Sequence, residues 1–122
     1  VQAGLLHDLF KKEKSARLIE LAESYAIPVS EIQRAQPKLL HGPVAAEYAK
    51  RALRIDDPDV YEAVYWHTTG RPGLGRVGQV LYFADFTEPL RPMPESAVGL
   101  AMLEDAGFDA ALRYVAEAKM AY

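Results

Sequence analysis

The sequence predicts an all-α fold, a compact bundle of six to seven short helices. Apolar residues recur at three- and four-residue spacing in one segment after another. Prolines and glycines break those segments at short intervals. No stretch shows sustained period-two alternation bounded by hairpin signals. The 122 residues suit one domain, and half of them are hydrophobic with a quarter charged, an ordinary globular composition.

The elements follow in chain order. Val1–Phe10 is apolar and reads as the last turns of a buried helix ending near His7-Asp8, with Lys11, Lys12 and Lys14 after it. Ser15 is placed to cap a second helix to about Ala26, with Leu18, Ile19 and Leu21 on its apolar face. Pro28 ends that pattern, and Ser30-Glu31 starts a short helix that must stop before Pro37. Pro43 suits the first turn of a helix opened by His41 and running to about Leu53, with a stripe of Val44, Ala45, Tyr48, Ala49 and Ala52. Asp57 as N-cap and Pro58 at N1 open the next helix, on which Val60, Ala63, Val64 and His67 share one face. Gly70, Pro72, Gly73 and Gly75 make Thr68–Gly75 a loop. Arg76 to about Thr87 returns to a helical pattern through Val77, Val80, Leu81, Ala84 and Asp85. Pro89, Pro92 and Pro94 mark a second loop. Helices near Glu95–Ala106 and Asp109–Met120 close the chain, the last capped by Asp109 and facing its core with Leu112, Val115, Ala116 and Met120.

Composition excludes several chemistries. With no cysteine there is no disulfide framework, thiolate zinc site, cysteine nucleophile or iron–sulfur cluster. A net charge of −3 and a pI near 5.6 argue against nucleic acid as a partner. No apolar run approaches the ~20 residues needed to span a bilayer, so no membrane partner is expected and the cytoplasm is the expected compartment. Metal chemistry would have to use three imidazoles, carboxylates and water.

Every histidine sits at a helix end or a helix–loop junction, each on a different helix. A single histidine there is more often a dipole partner or a surface residue than a ligand. Asp85 lies in the apolar run Leu81–Phe86, where an unpaired carboxylate is costly to bury. Four polar groups in apolar surroundings share one explanation if they bind metal, whereas otherwise each needs its own partner. The aromatic residues Trp66, Tyr82, Phe83 and Phe86 flank these positions and are expected in the core rather than stacked on a base.

At this point the residues resemble a family. His7-Asp8 after an apolar helix is the doublet that names the HD-domain metal-dependent phosphohydrolases. Pro37-Lys38-Leu39-Leu40-His41-Gly42-Pro43, Trp66-His67-Thr68-Thr69-Gly70-Arg71-Pro72 and Leu81-Tyr82-Phe83-Ala84-Asp85-Phe86-Thr87-Glu88-Pro89 resemble, in order, three motifs of its bacterial YqeK-type branch. The resemblance runs from about Ala3 to Arg91. It implies an HD-domain helical bundle and a phosphoric anhydride hydrolase that cuts diadenosine tetraphosphate symmetrically into two ADP, through a hydroxide bridging two metal ions. Those ions are implied to be iron, with manganese, zinc or magnesium as alternatives.

The resemblance also implies residue roles. His7, Asp8 and Asp85 would hold one metal, Asp8 would bridge to the second, and His41 and His67 would complete the second site. Lys11 and Arg71 would neutralise charge on the reacting phosphates, and Thr68, Thr69, Gly70, Arg71 and Arg91 would bind substrate. The partner would be a dinucleoside polyphosphate or another nucleotide, and a homodimer is compatible with the family. The family places a further histidine on a helix before the doublet, and none precedes His7 here. Because the sequence begins at Val1, inside an apolar segment, the chain reads as a single HD domain over 1–122 that lacks its N-terminal helix. Two other readings remain open. One is an HD phosphohydrolase of a guanosine alarmone, dNTP or cyclic dinucleotide. The other is a non-catalytic HD module that binds a nucleotide or a protein partner.

Overall fold

The computed structural model describes residues 2–87 and 94–120 and contains helices and no strand among them. The helices are α1 (Gln2–Leu6), α2 (Ser15–Ser24), α3 (Glu31–Ala35), α4 (His41–Arg51), α5 (Pro58–Trp66), α6 (Arg76–Phe86), α7 (Pro94–Ala106) and α8 (Phe108–Met120), with a 3₁₀ turn at Pro37–Leu40. The all-α class holds. Eight α-helices are described, one more than the upper count expected, and α1 and α3 are segments of only 5 residues. Arg91, Pro89, Pro92 and the Met120 side chain lie outside the described residues.

Local chemistry explains most of the boundaries. Asp57 caps α5, its Oδ1 accepting from Asp59 N–H at 2.9 Å, with Pro58 behind it at the first helical position. Ser30 and Gln33 form a reciprocal capping box at α3. Two expected caps are corrected. Lys14 holds the N-cap position of α2 without a side-chain bond, and Ser15 is already helical. Asp109 falls in the first turn of α8, where its charge meets the positive end of the helix dipole.

The chain divides into two compact units, residues 1–81 and 82–122. In the first, α4 packs on α5, and α1 packs on both. Ala3, Leu6, Ala45, Ala46, Ala49, Val60, Ala63, Val64 and Leu81 form one apolar cluster there. Leu18, Ala22, Ile27, Leu40 and Val44 form another, and Phe10 and Tyr65 pack against both. Small alanines on α4 let the two helix axes approach closely. On the flank of this pair, Tyr61 on α5 donates its hydroxyl to Glu47 on α4 at 2.8 Å, and Arg51 lies 3.2 Å from the same carboxylate.

In the second unit α7 packs on α8. Phe83, Phe86, Thr87, Ser96, Ala111 and Val115 are buried, and Phe83 meets Phe108 edge-on at 5.5 Å. Here the sequence reading needs correction. Val77 and Val80, which belong to the apolar helical pattern of α6, are exposed, while Tyr82, Phe83 and Phe86 are inside. Tyr82, Phe83 and Phe86 are therefore core, as expected, and Trp66 is only half-buried. On α8, Ala111 rather than Leu112 is fully buried.

Burial first, and then the hydrogen bond to Glu47, push the Tyr61 hydroxyl above its ordinary range. The folded chain thus holds that proton more tightly than the unfolded chain. The associated stability is present below pH about 10 and is lost as pH rises beyond it. Urea unfolding across pH 8–11 is expected to show a fall at the alkaline end that is shallower in Tyr61→Phe. At pH 8 that variant is expected to be less stable by about 1–2 kcal/mol, because it leaves a buried carboxylate short of a donor.

Candidate metal centre

The site is built where helices and turns end. His7 follows the last residue of α1, His41 closes the 3₁₀ turn as it opens α4, and His67 closes α5. The last carbonyls of a helical turn lack intrahelical partners. Each imidazole bonds the carbonyl three residues back, which at Lys38 also accepts the His41 backbone N–H. His7 Nδ1 lies 2.7 Å from Gly4 O, His41 Nδ1 2.7 Å from Lys38 O, and His67 Nδ1 2.7 Å from Val64 O. A carbonyl oxygen can only accept, so each Nδ1 carries the proton, and in the neutral ring Nε2 is left as an acceptor.

Those acceptor nitrogens converge. His41 Nε2 and His67 Nε2 are 2.9 Å apart and both rings are buried. Two lone pairs facing one another at this distance repel unless a proton or a cation lies on them. Asp8 Oδ1 stands 4.0 Å from His67 Nε2. The ligand atoms of Asp8, His41 and His67 all lie within 4.8 Å of one another. Nitrogens bound at about 2.0–2.1 Å on adjacent positions of a six-coordinate ion stand about 2.8–3.0 Å apart, the separation of the two Nε2 atoms. The donor set, two imidazoles and a carboxylate without thiolate, suits a first-row divalent ion. The residues therefore fit a metal.

The remaining expected residues fall around this cluster. His7 meets His67 edge-on, ring centroids 5.0 Å apart, and its Nε2 is 3.3 Å from Asp8 Oδ2. Lys11 is exposed, with Nζ 3.9 Å from Asp8 Oδ2. The turn carrying Asp8 and Lys11 is tied to the 3₁₀ turn by Lys38, whose ammonium donates to Glu13 O. Thr68 Oγ1 is 3.5 Å from His41 Nε2, the nearest loop hydroxyl to the cluster. Thr69 Oγ1 donates to Gly70 O at 3.3 Å, and Gly70, at φ +69, donates its N–H to Trp66 O at 2.7 Å. Arg71 lies over the Trp66 ring, its guanidinium carbon 5.6 Å from the centroid. Asp85 is half-buried on α6 in the second unit.

Sequence reasoning missed two contributors. Glu62 accepts Gly75 N–H at 3.2 Å and so fixes the end of the Thr68–Gly75 loop. Gly42, beside His41, sets its backbone against the last carbonyls of α5 at Val64 and Tyr65. The histidine–proline spacing around Gly42 marked a junction in the sequence, but not the close approach behind it.

No family model matches the chain. Over 92 residues, 75% of the chain, it is 32% identical to a symmetrical bis(5'-nucleosyl)-tetraphosphatase of Bacillus subtilis, covering 49% of that protein. Over the same length it is 30% identical to a symmetrical bis(5'-nucleosyl)-tetraphosphatase of Staphylococcus aureus, covering 47% of it. The chain thus spans about half the length of the curated relatives it matches. The crystal structure of a predicted HD superfamily hydrolase involved in NAD metabolism, from Clostridium acetobutylicum, superimposes with a TM-score of 0.80 at 32% identity. That match takes in 89% of this chain and 57% of the other.

The proton placement is directly checkable. Long-range ¹H–¹⁵N spectra of the chelator-treated chain at neutral pH are expected to show His7 as the Nδ1–H tautomer. His41 and His67 are expected to keep protonated Nδ1 as well, and added Mn²⁺ or Co²⁺ should broaden or shift their Nε2 signals first. An Nε2–H neutral tautomer at His67 would contradict the geometry.

Proposed function

We propose that this chain, a relative in sequence of symmetrical bis(5'-nucleosyl)-tetraphosphatases and in fold of an HD superfamily hydrolase, hydrolyses diadenosine tetraphosphate to two ADP with metal ions held by its histidines and aspartates. The observation that carries the reading is the pair of imidazole Nε2 atoms 2.9 Å apart with the Asp8 carboxylate beside them.

A polyphosphate resists attack because its own charge repels a nucleophile. Divalent metal, when bound, supplies Lewis acidity to the phosphoryl oxygens and lowers the pKa of water. The chain's residues prepare for that in distinct ways. His41 and His67 present Nε2 because Lys38 O and Val64 O hold their other nitrogens. Asp8 adds the negative charge that binds a cation, and His7 and Asp85 extend the ligand set toward a second ion by the roles the resemblance implies. Iron is the proposed metal and manganese the alternative, since imidazole with carboxylate suits both.

Substrate charge is met by cations at the edge of the site. Lys11 is positioned beside Asp8 yet exposed, so its ammonium is available to a phosphate oxygen. Thr68 offers a hydroxyl next to His41. Arg71 rests on Trp66 and can exchange that ring for a bidentate phosphate contact. Gly70 shapes the turn that carries Arg71, its amide being committed to Trp66 O. Arg91 is proposed for the same phosphate chain on the resemblance alone.

Product chromatography with Mn²⁺ or Fe²⁺ is expected to show ADP as the nucleotide product from diadenosine tetraphosphate. Asp8→Ala and His67→Ala are expected to lower the rate by about 100-fold or more, beyond what loss of an outer-shell group costs. AMP with ATP as products, faster turnover of a cyclic dinucleotide, or full activity in Asp8→Ala would overturn the reading. A separate expectation concerns the edge of the site. Lys11→Ala should raise KM more than it lowers kcat if the ammonium serves mainly to bind the phosphate chain.

A further inference from the structure

The start of α4 and the end of α5 meet backbone to backbone at Gly42. A Cβ built on Gly42 would lie 2.9 Å from Val64 O, 3.0 Å from Tyr65 O and 3.2 Å from His67 Cε1. Two of these are main-chain oxygens of a packed helix, which cannot rotate away as a flexible side chain would. Val64 O is also the acceptor that holds His67 Nδ1 at 2.7 Å. The missing side chain at Gly42 therefore bears on the same carbonyl that sets the His67 tautomer, and on the His67 ring itself. Gly42 is one residue from His41, whose Nε2 faces His67 Nε2.

Helical Gly42 needs no unusual backbone conformation, since its φ is not among the positive values of the chain. Alanine would even favour the helix there by roughly 0.5–1 kcal/mol relative to glycine. A glycine where local propensity favours alanine, with main-chain oxygens 2.9 and 3.0 Å from the place of its Cβ, points to close approach as the requirement. We infer that Gly42 is a positioning residue for the metal centre: by lacking a side chain it lets α4 sit against the last carbonyls of α5, which fixes His67 and sets its distance from His41. A methyl group at this point would have to push the start of α4 away from the Val64 and Tyr65 carbonyls, which carries His41 away from His67.

The inference rests on the metal reading above. Its test uses Gly42→Ala in the chelator-treated chain, titrated with Mn²⁺ or Co²⁺ and followed by thermal melting, cobalt absorption and imidazole ¹⁵N signals. A positioning role predicts that the metal-free variant keeps its helical circular dichroism and melts cooperatively, while its Kd for the ion rises about 10–100-fold, the range found for groups that orient a ligand without binding the metal. The His67 nitrogen signals should move and those of His7 should stay. As a packing control, Gly99→Ala sets its methyl 3.0 Å from Val115 Cγ2 and 3.1 Å from Thr87 Cγ2, against side chains only. That variant is expected to keep the parental Kd even if it melts lower. An unchanged Kd in Gly42→Ala, with the parent binding metal, would overturn the inference alone. Loss of fold in metal-free Gly42→Ala would also overturn it, in favour of plain packing. A parent chain that binds neither ion would overturn the metal reading, and the inference with it.

Discussion

Three carbonyl oxygens at the ends of helical turns decide which nitrogen each histidine presents. Gly4, Lys38 and Val64 each accept from the Nδ1 of the histidine three residues on. The geometry follows from a general property of helices, whose last carbonyls have no partner within the helix. A histidine just past the turn bonds such a carbonyl with its near nitrogen, joined at Lys38 by the His41 backbone N–H, and turns its far nitrogen to the site. The protein does this on α1, on the 3₁₀ turn and on α5, and brings two of the resulting lone pairs to 2.9 Å. A proton or a cation between them offsets their repulsion.

Much of the first unit serves to hold that arrangement. α4 and α5 carry His41 and His67 at their ends, and small residues on α4 permit the contact between them. The Tyr61–Glu47 bond, with Arg51 against the same carboxylate, braces the flank of the pair. Lys38 joins two parts of the site, because its carbonyl orients His41 while its ammonium ties down the turn that carries Asp8 and Lys11. The residues at the rim remain exposed or lightly held. Lys11 is close to Asp8 without being buried, and Arg71 lies on an aromatic face from which it can leave. That division between a buried interior and an exposed cationic edge suits a charged substrate that must enter and depart.

The helices at Ser30 and Asp57-Pro58 were legible because their start signals are chemical: an oxygen that accepts from a first-turn amide, and a ring that cannot donate. The face of α6 was not. Val77, Val80, Leu81, Tyr82, Phe83 and Phe86 make that helix apolar on most sides, so periodicity alone does not choose which side is buried, and the valines turn out exposed. Among the site residues, the positions of His7, His41 and His67 at element ends were readable, and the motifs around them named the ligands to look for. The convergence of Asp8, His41 and His67 was not, since it depends on how α4 meets α5. Gly42 was visible only as part of a junction, because the requirement for a bare backbone comes from oxygens on another helix.

The central claim is that a metal ion sits on the Asp8 carboxylate and the facing nitrogens of His41 and His67. Anomalous diffraction from crystals grown with Mn²⁺ or Fe²⁺, recorded on both sides of the metal's absorption edge, tests it most directly. The account predicts a peak within bonding distance of His41 Nε2, His67 Nε2 and an Asp8 oxygen. No peak there, with the two nitrogens still in contact across a shared proton, would contradict it.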